Sequence, residues 1–162
     1  TNVNYCLEQL FFDALCAVAE KYKNDFLLDF VKKQIDMKNL SSFHRSIKQK
    51  KGKDFLEKYL LTGGYISGET FLDAFANPDS LKIPQYKKLL TLTKIDFEKS
   101  IDDFITECIA DAKHISFGIE PIVGYIWAKE IEMKNIRIIL YGKIYNFEKE
   151  EVFNNLRTPY VQ

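Results

Sequence analysis

One self-similarity constrains this chain more than any other feature. Ile35-Asp36-Met37-Lys38-Asn39-Leu40 returns 96 positions later as Ile131-Glu132-Met133-Lys134-Asn135-Ile136, and Lys33 falls on Lys129 at the same offset. Upstream, Phe26, Leu27, Phe30 and Val31 fall on Ile122, Val123, Ile126 and Trp127; downstream, Leu56 and Leu60 fall on Val152 and Leu156. Apolar positions are kept at helical spacing throughout, which predicts a long helix, a connector and a short helix in each copy. The chain is therefore expected to be built of two related helical modules.

In the later copy Ile122, Ile126, Lys129, Met133, Ile136 and Leu140 are spaced by threes and fours and share a face, with a lysine as one rung. The earlier copy reads Phe26, Phe30, Lys33, Met37, Leu40 and His44, and its lysine holds the same rung. Lys33 and Lys129 are read as structural, their stems packed on apolar neighbours and their ammonium groups in water or paired with a carboxylate. A Schiff-base role would need a companion acid or base that the sequence does not indicate. Gly124, Ala128, Ile131, Asn135 and Gly142 occupy the other side, so the later helix is apolar or small nearly all round and is expected to be largely buried. Asn39 and Asn135 are read as structural, placed to bond to neighbouring backbone. Glu130, Lys134 and Arg137 lie along one edge; a solvated edge and a partner interface both fit them.

The remaining segments are helical too, since seven Gly and four Pro are the main breaks and alternation is absent, so the chain reads as all-α. A first helix is predicted over 4–22, with Leu7, Leu10, Phe11, Ala14, Leu15 and Val18 as its apolar stripe, and a second over 25–48. A short helix over 54–61 stops at Gly63-Gly64, and another begins at Ser67. Asn77-Pro78 and Ile83-Pro84 mark a connector. Thr93 and Asp96 form a capping box for a helix over 95–115, Pro121 opens a long helix reaching Tyr141, and Asn146 caps a last helix ending near Arg157. The domains expected are 1–76 and 95–162, joined by 77–94.

Much chemistry is excluded. His44 and His114 have no partners at metal-ligand spacing, Thr62-Gly63-Gly64-Tyr65 lacks the rest of a phosphate loop, and no nucleophile elbow occurs. Asp102 and Asp103 are adjacent on a helix and point apart, a poor acid/base couple whose default is surface solvation. Catalytic, metal and cofactor-binding residues are thus expected to be none. Cys6, Cys16 and Cys108 read as reduced core thiols. No apolar run reaches the length of a membrane span, and no signal-peptide pattern opens the sequence, so the cytoplasm is the expected compartment.

The 23 basic and 23 acidic side chains cancel but are segregated. From Lys32 to Lys58 there are nine Lys and Arg against three Asp and Glu, with Arg45, Lys48, Lys50, Lys51 and Lys53 gathered near the connector; from Asp96 to Asp111 there is one against six. A solvated linker, a docking patch and a nucleic-acid surface all fit the basic run, though no recognition motif supports nucleic acid.

The block from Pro121 to Lys143 resembles the C-terminal signature of the C subunits of V-type and A-type rotary ATPases, whose eukaryotic relative is the d subunit. The pattern is carried by Lys129, Glu130, Glu132, Asn135, Arg137, Gly142 and Lys143. Leu156-Arg157 with Tyr160-Val161 resembles that family's ending, and Ile35-Asp36, Asn39, Arg45 and Leu60-Leu61-x-Gly63-Gly64 resemble its preceding module. The resemblance implies a funnel-like subunit of three helical modules, of which this chain carries the second and third, the N-terminal module being absent. It implies a non-catalytic central-stalk rotor subunit on the cytoplasmic side of the membrane. Its partners would be the D and F axle subunits and the proteolipid ring, with no nucleic acid and membrane contact only through the ring. The interface residues expected are Arg45, Lys48, Lys50, Lys51, Lys53, Glu130, Lys134, Arg137 and Lys143. A generic helical-repeat adaptor is the alternative; a small helical enzyme would need a pocket of convergent polar groups.

Overall fold

The structure is a computed structural model that describes residues 3–81, 83, 86 and 97–160. It is all-α over those residues, and the chain divides into two compact units, 1–87 and 88–162.

In the first unit α1 (Val3–Lys21) is followed by α2 (Asp25–Lys48), α3 (Lys53–Glu57) and α4 (Gly68–Asp73), and a 3-10 turn runs over Pro78–Ser80. Asn24 starts α2 by accepting the amide of Leu27 at 2.7 Å, which supplies one of the partners a helix start lacks. The core is formed around α2: Val31, Ile35, Met37, Leu40, Leu56 and Phe71 are buried, and the rings of Phe43 and Phe71 lie 5.9 Å apart. In the second unit α5 (Phe97–Ile109) continues as a 3-10 stretch over Ala110–His114. Then come α6 (Glu120–Ile144) and α7 (Lys149–Asn155).

The 96-residue offset reappears in the backbone. Both long helices end on a residue with left-handed φ, Lys50 at 52° and Asn146 at 54°. The amides of Lys51 and Phe147 then return to the carbonyls of Ser46 and Gly142, both at 2.9 Å. This turn satisfies carbonyls that the helix end leaves open.

Several expectations need correction. The short helix stops at Glu57, not at Gly63-Gly64, because residues 60 and 61 give their backbone groups to side chains of α1 and α2 instead. Gly63 is still left-handed, φ 99°, but in a loop, and a Cβ on Gly64 would overlap the Asp36 carboxylate. The helix expected to reach 115 changes to 3-10 after Ile109, and α6 extends to Ile144. Asn146 ends α6 and does not cap α7, whose N-cap is Glu148. The Thr93–Asp96 capping box lies outside the described residues.

Burial differs as well. Helix α6 is mostly exposed: only Gly124, Trp127, Ile131 and Gly142 are buried, while Ile122, Ile126, Met133, Ile136 and Leu140 face outward. The α1 stripe is likewise on the outside at Leu7, Leu10, Phe11 and Val18, and the buried residues of α1 are Phe12 and Ala19. The three cysteines are free and half-buried. Among the described residues no helix is long and apolar enough to cross a membrane.

Candidate functional site

Two asparagines organise the units from inside. In α2, Asn39 is fully buried; its Nδ2 donates to the Leu61 carbonyl at 2.8 Å, and its Oδ1 accepts the Leu61 amide at 2.7 Å. In α6, Asn135 treats Arg157 identically, at 3.0 and 2.8 Å. Leu61 and Arg157 are themselves 96 residues apart, so each long helix grips the segment after its short helix at the same point. An amide side chain suits this task, because it carries a donor and an acceptor side by side, as a backbone residue does.

Among the described residues, the helix that precedes the long one in each unit adds a second hold. The ammonium of Lys38 pairs with Glu8 on α1, and Lys134 pairs with Asp102 on α5 at 2.8 Å. The next residue along takes the following loop amide: Gln9 Oε1 accepts from Thr62 at 2.9 Å, and Asp103 Oδ1 from Thr158 at 2.7 Å. Glu8 and Gln9 therefore play the parts of Asp102 and Asp103, at an offset of 94 and not 96.

Asp102 is not solvated, contrary to expectation. Its carboxylate sits between Lys134 and the Nε of Arg157, the latter at 2.9 Å. Lys134 also lies over the Trp127 ring at 5.3 Å, and the indole N–H donates to Thr106 at 2.9 Å. In the first unit the buried acid is Asp36, which accepts the Ile66 amide at 3.0 Å and the Tyr86 hydroxyl at 2.8 Å. Burial pushes its pKa above the ordinary carboxylate value, with bonds from Ile66, Tyr86 and Tyr65 pulling the other way. Glu132, its counterpart in the repeat, is exposed and pairs with Lys129 at 2.6 Å; Lys33 pairs with Asp29 at 2.7 Å.

Arg45 and Lys48 occupy the last turn of α2, Lys50 and Lys51 the turn after it, and Lys53 the start of α3; all five are exposed at one corner. Lys51 lies over the Phe55 ring at 5.6 Å. The other residues singled out are spread along α6. Glu130 and Lys134 are 3.3 Å apart, with Lys134 drawn inward to Asp102, while Arg137 and Lys143 are exposed. The five cations thus form a mainly basic surface in the first unit, with the exposed Asp54 at its edge, and the α6 residues belong to the second unit. Among the described residues no group of three or more His, Cys, Asp or Glu could hold a metal ion. The corner can attract and orient an anionic surface; the asparagine clamps can hold shape.

The family model described as ATP synthase (C/AC39) subunit matches residues 3–154. The A-type ATP synthase C subunit of Methanocaldococcus jannaschii is 27% identical over 83% of this chain and 38% of its own length. The V-type sodium ATPase C subunit of Enterococcus hirae is 26% identical over 83% of this chain and 44% of its own. The A-type ATP synthase C subunit of Methanobrevibacter smithii is 32% identical over 72% and 35%. The chain thus spans less than half the length of these relatives. No solved structure matches it.

Proposed function

The chain belongs to the ATP synthase (C/AC39) subunit family, and on that premise we propose that it serves as a non-catalytic central-stalk rotor subunit of a V-type or A-type ATPase. In this reading it couples the D and F axle subunits to the proteolipid ring during ion transport. It sits on the cytoplasmic side of the membrane, touches the membrane only through the ring, and supplies the second and third modules of a three-module funnel. Arg45, Lys48, Lys50, Lys51 and Lys53 form one docking surface, and Glu130, Lys134, Arg137 and Lys143 contribute to another.

The observation that supports this best is the duplicated two-point clamp, Asn39 on Leu61 and Asn135 on Arg157. A rotor spacer transmits torque, so its helices must not slide against the loops that connect them. Two antiparallel hydrogen bonds to one backbone residue resist that sliding in both directions along the helix. A duplicated scaffold of this kind needs no reacting groups, and fold by itself does not assign the task.

The test is copurification with tagged D and F axle subunits and with the detergent-solubilised ring. Charge reversal at Arg45, Lys48 and Lys51 is expected to weaken capture of at least one of them. A wild-type chain that is captured by none, while the rest of the complex assembles, contradicts the proposal.

A further inference from the structure

The corner after the long helix occurs twice with one backbone and two surfaces. In each copy the first amide beyond the helix returns four residues, Gln49 to Arg45 and Tyr145 to Tyr141, both at 2.9 Å, and the left-handed residue and the closing bond follow at equal spacing. The side chains do not follow. Arg45, Lys48, Lys50 and Lys51 stand where the second unit has Tyr141, Ile144, Asn146 and Phe147, and all eight are exposed. Of the five cations only Lys53 keeps its charge, as Lys149.

The second copy therefore acts as a control built into the chain: this turn forms without the four cations. Lys50 makes the point most sharply. Left-handed φ suits asparagine better than lysine, and Asn146 takes that option at the equivalent position. The charge at 50 is not needed by the turn.

We propose that the first unit's corner is a docking surface for a carboxylate-rich protein surface, held by Arg45, Lys48, Lys50, Lys51 and Lys53; this rests on the rotor-subunit reading and names the chemistry of one of its partners. Charge complementarity selects a carboxylate-bearing partner, since these five cations occupy nine consecutive positions with no acid among them. A protein fits better than a bilayer or a nucleic acid. The aromatic ring at this corner, Phe55, lies under Lys51 and packs on Tyr59 with centroids 4.6 Å apart, both rings half-buried, so it is not presented for insertion between lipids or for stacking on bases. Lysines on flexible stems form a rim that steers association and is screened by salt.

The test compares the full wild-type chain with Arg45→Gln/Lys48→Gln/Lys50→Asn/Lys51→Gln and with the milder Lys48→Gln/Lys50→Asn. Association with the rest of the complex, with its isolated axle subunits and with phosphatidylglycerol vesicles is followed over a salt series. At low salt the fourfold variant is expected to associate with one protein partner at least about tenfold more slowly than wild type and to lose most of the salt dependence. The double variant should be intermediate, and the urea midpoint of Lys50→Asn should equal or exceed that of wild type. Equal rates and equal salt dependence overturn the inference, as does a loss confined to the vesicles. A wild-type chain that associates with no protein partner fails the rotor reading itself, which separates the two failures.

Discussion

Asn39 and Leu61 hold each other by two hydrogen bonds, side-chain amide to backbone carbonyl at 2.8 Å and backbone amide to side-chain oxygen at 2.7 Å. Both residues are buried, and 22 positions of sequence, including the whole of α3, separate them. Removing the side chain leaves a buried donor and a buried acceptor without partners.

Asn39→Ala is accordingly expected to lower unfolding stability by about 2–4 kcal/mol, since each buried polar group left unpaired costs about 1–3 kcal/mol. Asn135→Ala should cost less, because water reaches the half-buried counterpart. Urea denaturation of the two variants checks the order. Equal, small losses would show that the clamp is ornamental.

Asp102 is expected to matter more than either of its cations. It holds Lys134 and Arg157 together, and Asp102→Ala takes from Arg157 the carboxylate it pairs with and leaves Lys134 only the exposed Glu130, at a cost of about 2–3 kcal/mol; fully buried pairs lose about 3–5. Lys134→Met should cost clearly less, since Arg157 still neutralises the acid. If Lys134→Met proves the more damaging in denaturation curves, the hub has been misplaced.

Asp36 carries a pH dependence whose sign can be fixed. Its folded pKa is raised above 3.8, chiefly by burial, so the folded chain holds the proton more tightly than the unfolded chain. Its favourable contribution is complete below 3.8 and is lost as pH rises through the folded value. Asp36→Asn removes this loss, so the variant should gain on wild type as pH rises from acid to neutral. Midpoints that stay parallel across that range would falsify the assignment.

Gly142 faces Val152 so closely that a Cβ would overlap its Cγ2. Gly142→Ala gains helix propensity, about 1 kcal/mol, but presses on a stiff β-branched side chain, and overpacking costs about 1–3 kcal/mol. The substitution should be neutral or destabilising in the wild type and stabilising in a Val152→Ala background. A double-mutant cycle reads the coupling directly, and additive effects would rule out the contact.

The repeat, the all-α class, the extent of α2 and the start of α6 were legible because periodicity and capping are local properties. That Asn39 and Asn135 are counterparts was legible as well; that their partners are Leu61 and Arg157 was not. The α1 and α5 counterparts were hidden for a definite reason. Glu8 matches Asp102 at an offset of 94, and the offset becomes 96 in the long helices, so no fixed-offset comparison aligns both.

Sequence alone determined where the long helices run and that they come as a related pair, because hydrophobic spacing and turn residues act within a few positions of themselves. Tertiary structure alone decided which copy of each shared position is covered. Asp36 and Glu132 occupy the same rung, yet Ile66 and Tyr86 close over the first, whereas the second faces water beside Lys129. Burial depends on what the chain brings back from far along its length, and a helical pattern carries no record of that return.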